Sequence, residues 1–343
     1  MKALGFMQHG DENQMQLMEL PKPIPKKDQV LIQVKASAFN HLDIWVRKGL
    51  PGLKLMLPHI SGSDAAGIIS ELGSDVTNFQ MGDRVGINPG INFSEDEFTL
   101  SGEQSESPHF AIIGEHLPGT HAEFIAVPAK NLIRLPQDIS FEMAAAAGLV
   151  GLTAWRMLLH RAQIKAGETV LIIGAGGGVN SMAIQIAKLA GCYVYAATST
   201  EEKIQQAKAL GADHVYNYRE NPEWPKELQR DTKKRGVDIV VDNVGKATLP
   251  ISMQLVRRGG RIVIVGNTSG PNAELDIRYL FSKQISLIGS TMGNQEDYNN
   301  VMKQVFLGNI KPVIYKKFPL DQGVEAMRIL EKGEQFGKIV LTP

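Results

Sequence analysis

The chain has 343 residues, more than one hydrophobic core normally fills, and its 43% hydrophobic and 21% charged residues are those of an ordinary globular protein. Lys plus Arg and Asp plus Glu number 36 each and form no long run of one sign, which excludes a strongly basic face for nucleic acid. The single cysteine, Cys192, excludes an internal disulfide. With no signal-peptide pattern after Met1 and no run of 18 apolar residues, a cytoplasmic protein is expected.

In chain order, the first part reads as strands and turns. Val30, Ile32, Val34, Ala36 and Ala38 alternate with polar partners, the pattern of a half-buried strand. Residues 67–72, 82–87 and 123–127 are further short apolar runs bounded by Gly or Pro. The polar stretch from Asn88 to Gly119 has little periodicity and is long enough for a lobe or lid. From about Phe141 an Ala-rich, helix-forming segment leads into Thr169–Ile173, a run fit for a strand buried on both faces. Further runs at 193–197, 214–216, 238–242, 261–265 and 285–288 alternate with segments of helical composition such as Glu201–Leu210 and Lys246–Arg257. Strands separated by helices predict an α/β domain with a doubly wound parallel sheet. Cys192, beside an apolar run, reads as a buried structural thiol. The chain closes on shorter elements ending at Phe336–Leu341.

After the first buried strand comes Gly174-Ala175-Gly176-Gly177-Gly178-Val179-Asn180, opening an amphipathic segment with Ala183, Ile186, Ala187 and Ala190 on one face. Glycines between strand and helix let the backbone approach a pyrophosphate, held by the N–H groups and dipole of the helix start. Asn180 stands where a third glycine is usual. Its side chain must therefore either shift the helix or point at the cofactor. The second strand runs into Ala197-Thr198-Ser199-Thr200, with no carboxylate at its tip for a ribose 2′-OH and with Lys203 one helical turn on. This favours NADP(H); the competing reading gives the ribose to Glu201 or Glu202 of an NAD enzyme.

The chain resembles the medium-chain dehydrogenase/reductase superfamily over essentially its full length, nearest its quinone-oxidoreductase-like and zinc-type alcohol-dehydrogenase-like members. The residues that carry the resemblance are 39–49 (FNHLDIWVRKG), 62–67 (GSDAAG), 82–85 (GDRV), 152–155 (LTAW), the glycine turn, 217–220 (NYRE) and 289–293 (GSTMG). It implies a GroES-like, mainly β catalytic domain from residues 1–148 and 294–343, with a Rossmann domain at 149–293 between them. It also implies that Thr153 packs near the nicotinamide and that Lys203 and Tyr218 contact a 2′-phosphate. Asn243, Gly266, Asn267, Ser290 and Thr291 should border the cofactor, alongside Gly174, Gly177, Gly178, Val179, Thr198 and Ser199.

In zinc-dependent relatives a Cys, a His and a later Cys or Asp bind catalytic zinc; the matching positions here are Asn40, Ser63 and Leu149, with Asp64 beside the missing histidine. An amide, a hydroxyl and an isobutyl group cannot replace those ligands. Four lobe cysteines of the relatives match Phe93, Asp96, Thr99 and Ser107. His109, His116 and His121, with Glu115, have no standard metal spacing and read as polar loop residues, His116 anchoring the lobe. No metal is therefore expected. A substrate carbonyl would be polarised by Asn40 and Ser63, beside pocket walls Trp45 and Leu149, and Asp43 reads as structural. Leu42 stands where alcohol dehydrogenases carry a hydroxyl relay. These readings point to NADPH-dependent, zinc-independent reduction of a small carbonyl, enone or quinone. The alternatives are an alcohol or aldehyde dehydrogenase and a non-catalytic nucleotide-binding paralogue. The apolar edge strand Ile285–Ile288 suggests a homodimer, as in the resembling family.

Overall fold

The computed structural model describes residues 1–343. They separate into two compact units: Met1–Leu152 with Gly293–Pro343, and Thr153–Met292. In the first unit the strand Gln29–Ala38 is central. Leu31 and Ser37 are buried along with Val30, Ile32 and Val34, so much of this strand is covered on both faces and strict alternation understates its burial. It pairs antiparallel with Asp64–Leu72 along its length and with Phe124–Pro128 at its start. At its far end it pairs with the C-terminal strand Lys338–Thr342. Ala38 faces Asp64 in one ladder and Val340 in the other, and the Phe39 N–H donates to the Ile339 carbonyl at 3.0 Å. Sheet register therefore brings residues near 40, 64 and 338 to one sheet end.

The polar stretch forms a lobe built on the antiparallel pair Gly90–Asn92 and Phe110–Ile112 with a helical turn at Glu97–Leu100. The Asp96 carboxylate accepts from Thr99 N–H at 2.8 Å and from the Ser107 hydroxyl at 2.5 Å. Three of the four positions matched to lobe cysteines are thus joined directly, while Phe93 is exposed. His116 Nδ1 accepts from Ile112 N–H at 3.2 Å, holding the lobe's last turn.

The second unit is a six-stranded parallel sheet. Its strand order is His214–Asn217, Tyr193–Thr198, Thr169–Ile173, Val237–Asp242, Val256–Ile264 and Ser286–Gly289, the doubly wound arrangement. Leu171, Val240 and Ile262 are fully buried, each such side chain contributing about 1.5–3 kcal/mol. The helix expected over Lys246–Arg257 is confined to Leu249–Leu255. Pro250 sits in its first turn, and the β-branched Val256 already pairs with Val237. Cys192 is buried, its thiol donating to the Lys165 carbonyl at 3.3 Å. The helix Phe141–Arg161, a π-helix from Arg156, is long and apolar enough to cross a bilayer, but 72% of its most apolar stretch is buried inside the protein, as in a core helix.

Candidate active site

In the second unit the strand Thr169–Ile173 lies where the strand order reverses, the crevice in which such sheets bind nucleotides. Gly174 follows at φ +81°, a conformation glycine adopts without steric cost. Gly177 caps the helix Gly178–Leu189, and a Cβ there would meet only the Gly174 carbonyl, at 3.6 Å. The turn's outer face is therefore open to a ligand. The first N–H groups of this helix, from Gly178 and Val179, have no carbonyl partner within it.

The Asn180 side chain, expected to shift the helix or to point at the cofactor, is hydrogen-bonded within the turn. Its amide turns inward, Nδ2 donating to the Ile173 and Gly174 carbonyls at 2.7 and 2.9 Å. Its Oδ1 accepts from Asn243 Nδ2 at 2.6 Å. The remaining Asn243 oxygen and the Ser290 hydroxyl are buried atoms without hydrogen-bond partners. Both are at strand ends, and a nicotinamide dinucleotide along this edge would supply polar partners, so the cradle fits the cofactor. Gly266 runs close beneath the Asn243 carbonyl, which a Cβ would approach to 3.0 Å. Asn267 and Thr291 are exposed. Thr153 is buried and its hydroxyl reaches the Met292 sulfur at 3.9 Å.

At the tip of the second strand Thr198 and Ser199 are buried and Thr200 caps the next helix, accepting from Lys203 N–H at 3.3 Å. Burial, and then the positive charge of Arg219, depress the Lys203 pKa. The Arg219 charge is thus felt at Lys203; Arg219 follows the exposed Tyr218 in the chain, and the sequence reading left it without a role. Glu201 is exposed and accepts from Gln205 at 2.6 Å.

In the first unit Asn40 and Leu149 meet at Asp64, the residue after Ser63. Asp64 Oδ1 accepts from Leu149 N–H at 2.5 Å, and Oδ2 accepts from Asn40 Nδ2 at 2.9 Å. A Cβ at Gly148 would strike this carboxylate, which is why the helix carries glycine there. The Lys338 ammonium donates to Asp64 Oδ2 at 3.1 Å and to Asn40 Oδ1. Asn40 Nδ2 also reaches the Ala38 carbonyl at 3.5 Å; Asn40 is therefore engaged on both ends of its amide, and the donor role expected for it toward substrate is spent internally. The fully buried Ser63 hydroxyl has no hydrogen-bond partner. Asp43 ties down two backbone N–H groups, of Asn40 and Gly62, both at 2.7 Å; burial pushes its pKa up to about 6.

His121 is a correction: it is a fully buried core residue. Its Nδ1 is 2.9 Å from the Ser37 hydroxyl and its ring meets Phe39 edge-on at 4.3 Å. Burial, with Lys338 adding to it, pushes its pKa down to about 3. Trp45 is half-buried, 6.5 Å from the His41 ring.

Zinc requires thiolate, imidazole or carboxylate donors. The ligand positions here carry an amide engaged at both ends, a hydroxyl and an isobutyl group, with an ammonium among them. This donor set does not fit a zinc ion, and no group of three His, Cys, Asp or Glu side chains is arranged to hold a metal.

Residues 178–306 match the zinc-binding dehydrogenase family and residues 26–137 the alcohol dehydrogenase GroES-like domain. A solved structure of an NAD-dependent alcohol dehydrogenase is 41% identical, covers all of both chains and superposes with a TM-score of 0.96. A zinc-type alcohol dehydrogenase-like protein of Schizosaccharomyces pombe is 32% identical over 93% of this chain and 92% of its own. Human quinone oxidoreductase is 30% identical over 99% and 97%.

Proposed function

The chain belongs to the medium-chain dehydrogenase/reductase superfamily of oxidoreductases, and from that premise we propose that it reduces quinones or α,β-unsaturated carbonyls with NADPH, without zinc. The observation that carries this reading is the Asp64 centre, where the positions matched to metal ligands hold Asn40, Ser63 and Leu149, and Asn40 and Leu149 are hydrogen-bonded to Asp64. A conjugated acceptor spreads negative charge over its own π system and so needs less Lewis acidity than an alcohol or simple aldehyde. The Ser63 hydroxyl, next in the chain to Asp64, is an unspent donor, and Leu149 is tied to Asp64 through its backbone N–H.

When bound, NADPH supplies the hydride. Gly174, Gly177 and the helix start at Gly178 would hold its pyrophosphate, with Lys203 and Arg219 on the 2′-phosphate and Asn243 and Ser290 toward the nicotinamide. A second reading, an NAD-dependent alcohol dehydrogenase, is favoured by the 41% identical structure of that description. An acceptor screen with both nucleotides and elemental analysis separates the two. The first reading expects NADPH oxidation by quinones or enones and no stoichiometric zinc; NAD-linked alcohol oxidation with one zinc per chain would overturn it. Lys203→Ala should weaken NADPH about ten- to hundred-fold, the worth of a charge-assisted contact, and NADH little; equal loss for both would reverse the cofactor assignment. The same reading makes the protein a cytoplasmic homodimer.

A further inference from the structure

Lys338 is a lysine in the interior. Its strand pairs with Gln29–Ala38 through Val340 and Ala38, which carries the side chain to the residues just past the end of that strand. Its ammonium has two acceptors, Asn40 Oδ1 and Asp64 Oδ2, and an ammonium has three N–H bonds. One donor is therefore unspent. Asp64, Ser63 and His121 are at 0% exposure, whereas Asn40 keeps 6% and Lys338 4%. Burial pulls the Lys338 pKa down, while Asp64 and Asp43 push it back up. His41, His121 and Asp43 all feel its charge, so it is the electrostatic focus of this unit's polar interior.

We propose that Lys338 is the resident cation of the centre and a catalytic residue: its third N–H donates to the substrate oxygen and stabilises the negative charge that develops there. This rests on the reductase reading above. The new C–H bond takes its hydride from the reduced nicotinamide, which is oxidised. The acceptor's π electron pair moves onto the oxygen beside Lys338, and water protonates the product. Lys338 keeps its protons throughout. Asn40 is a positioning residue, its amide oxygen and the Asp64 carboxylate fixing the ammonium from the inner side. A fixed charge in a water-poor site needs no reorganisation as the reaction proceeds, and one such donor is worth about 10²–10³ in kcat.

The test uses the full chain with Lys338→Met, Lys338→Arg and the double variant Lys338→Met/Asp64→Asn, which removes both charges of the pair and so does not leave Asp64 as an unpaired carboxylate. Expected are a kcat lowered about 100- to 1,000-fold in Lys338→Met and in the double variant, a smaller change in KM, and substantial recovery in Lys338→Arg. NADPH affinity, read by nucleotide fluorescence, should stay within about two-fold. Independently of turnover, 4-nitrophenol titrated against the NADP⁺ complex should bind the unsubstituted protein as the yellow phenolate. In Lys338→Met its apparent pKa should rise by about two units or more. A double variant with kcat within about three-fold of the unsubstituted protein, loss of NADPH affinity in place of kcat, or no phenolate signal would overturn the proposal. If the protein turns over no acceptor, the reductase reading fails by itself, and the phenolate titration still decides the role of Lys338.

Discussion

Replacing Asn180 by alanine removes three buried hydrogen bonds at once: those to the Ile173 and Gly174 carbonyls and the one from Asn243. Each neutral hydrogen bond is worth about 1 kcal/mol net, and a buried donor left without a partner costs about 1–3 kcal/mol. With Asn243 Nδ2 orphaned, the expected loss is about 2–4 kcal/mol, or a melting temperature lower by roughly 5–10 °C. NADPH should bind roughly ten-fold more weakly, because the turn that receives it loses its tether to two strand ends. Glycine, the residue usual at this position in dinucleotide folds, should do worse than alanine. It removes the same bonds and adds about 0.5–1 kcal/mol of backbone entropy inside the helix Gly178–Leu189. Denaturant titration followed by circular dichroism, paired with nucleotide fluorescence, measures both quantities. If Asn180→Ala lies within about 0.5 kcal/mol of the unsubstituted protein, or if Asn180→Gly is the more stable of the two, the tether is not what holds the turn.

His121 and Asp43 make opposite contributions to acid stability. With its pKa near 3 in the fold against 6.5 unfolded, neutral His121 costs stability progressively as pH falls from 6.5 toward 3, because only the unfolded chain takes up the proton. Asp43, near 6 in the fold against 3.8, contributes stability that is present below 3.8 and lost as pH rises through 6. Between pH 4 and 6 the two slopes, about 1.4 kcal/mol per pH unit each, cancel. Relative to the unsubstituted protein, His121→Gln should gain stability on going from pH 6 to 4 and Asp43→Asn should lose it; parallel denaturation profiles would sink the assignment. The strand Ser286–Gly289 ends the sheet with Leu287 38% exposed, and Ile277 and Phe281 of the neighbouring helix are 68% exposed. An apolar edge of this kind invites a partner strand. Light scattering should therefore give about twice the 37.5 kDa chain mass, and Leu287→Pro should give monomer or aggregate; a monomeric unsubstituted protein at micromolar concentration would refute it.

The parallel sheet was legible because strands covered on both faces announce themselves as unbroken apolar runs, Thr169–Ile173 above all, and because glycines between strand and helix leave few alternatives. The role of Asn180 was not. A glycine fingerprint speaks only of clearance, whereas the asparagine's partner Asn243 is brought near by the parallel pairing of Thr169–Ile173 with Val237–Asp242. His121 read as a loop residue because glycine, proline and threonine surround it, yet its own carbonyl accepts from Leu4 N–H at 2.7 Å, stitching the segment to the N-terminal strand and closing the core over the ring. Lys338 lay in a recognised apolar ending, but nothing local in the sequence distinguishes a buried lysine from a solvated one. Only the register of Val340 against Ala38 does.

The same exchange occurs twice in the first unit, with different stakes. In the lobe, Asp96 draws in Thr99 and Ser107 at partly exposed positions. Water can replace any one of those bonds, so each contributes about 0.5–1.5 kcal/mol. At the centre, Asp64 is fully buried and its partner ammonium nearly so. Removing one member of such a pair leaves an uncompensated charge and costs about 3–5 kcal/mol, while removing both is far cheaper. The lobe is therefore free to drift in sequence one residue at a time, whereas Lys338 and Asp64 can change only together. A pair held that tightly, with a spare N–H, is better suited to orienting a charge toward a substrate than to holding strands together, because the ladders on either side of Gln29–Ala38 already hold them.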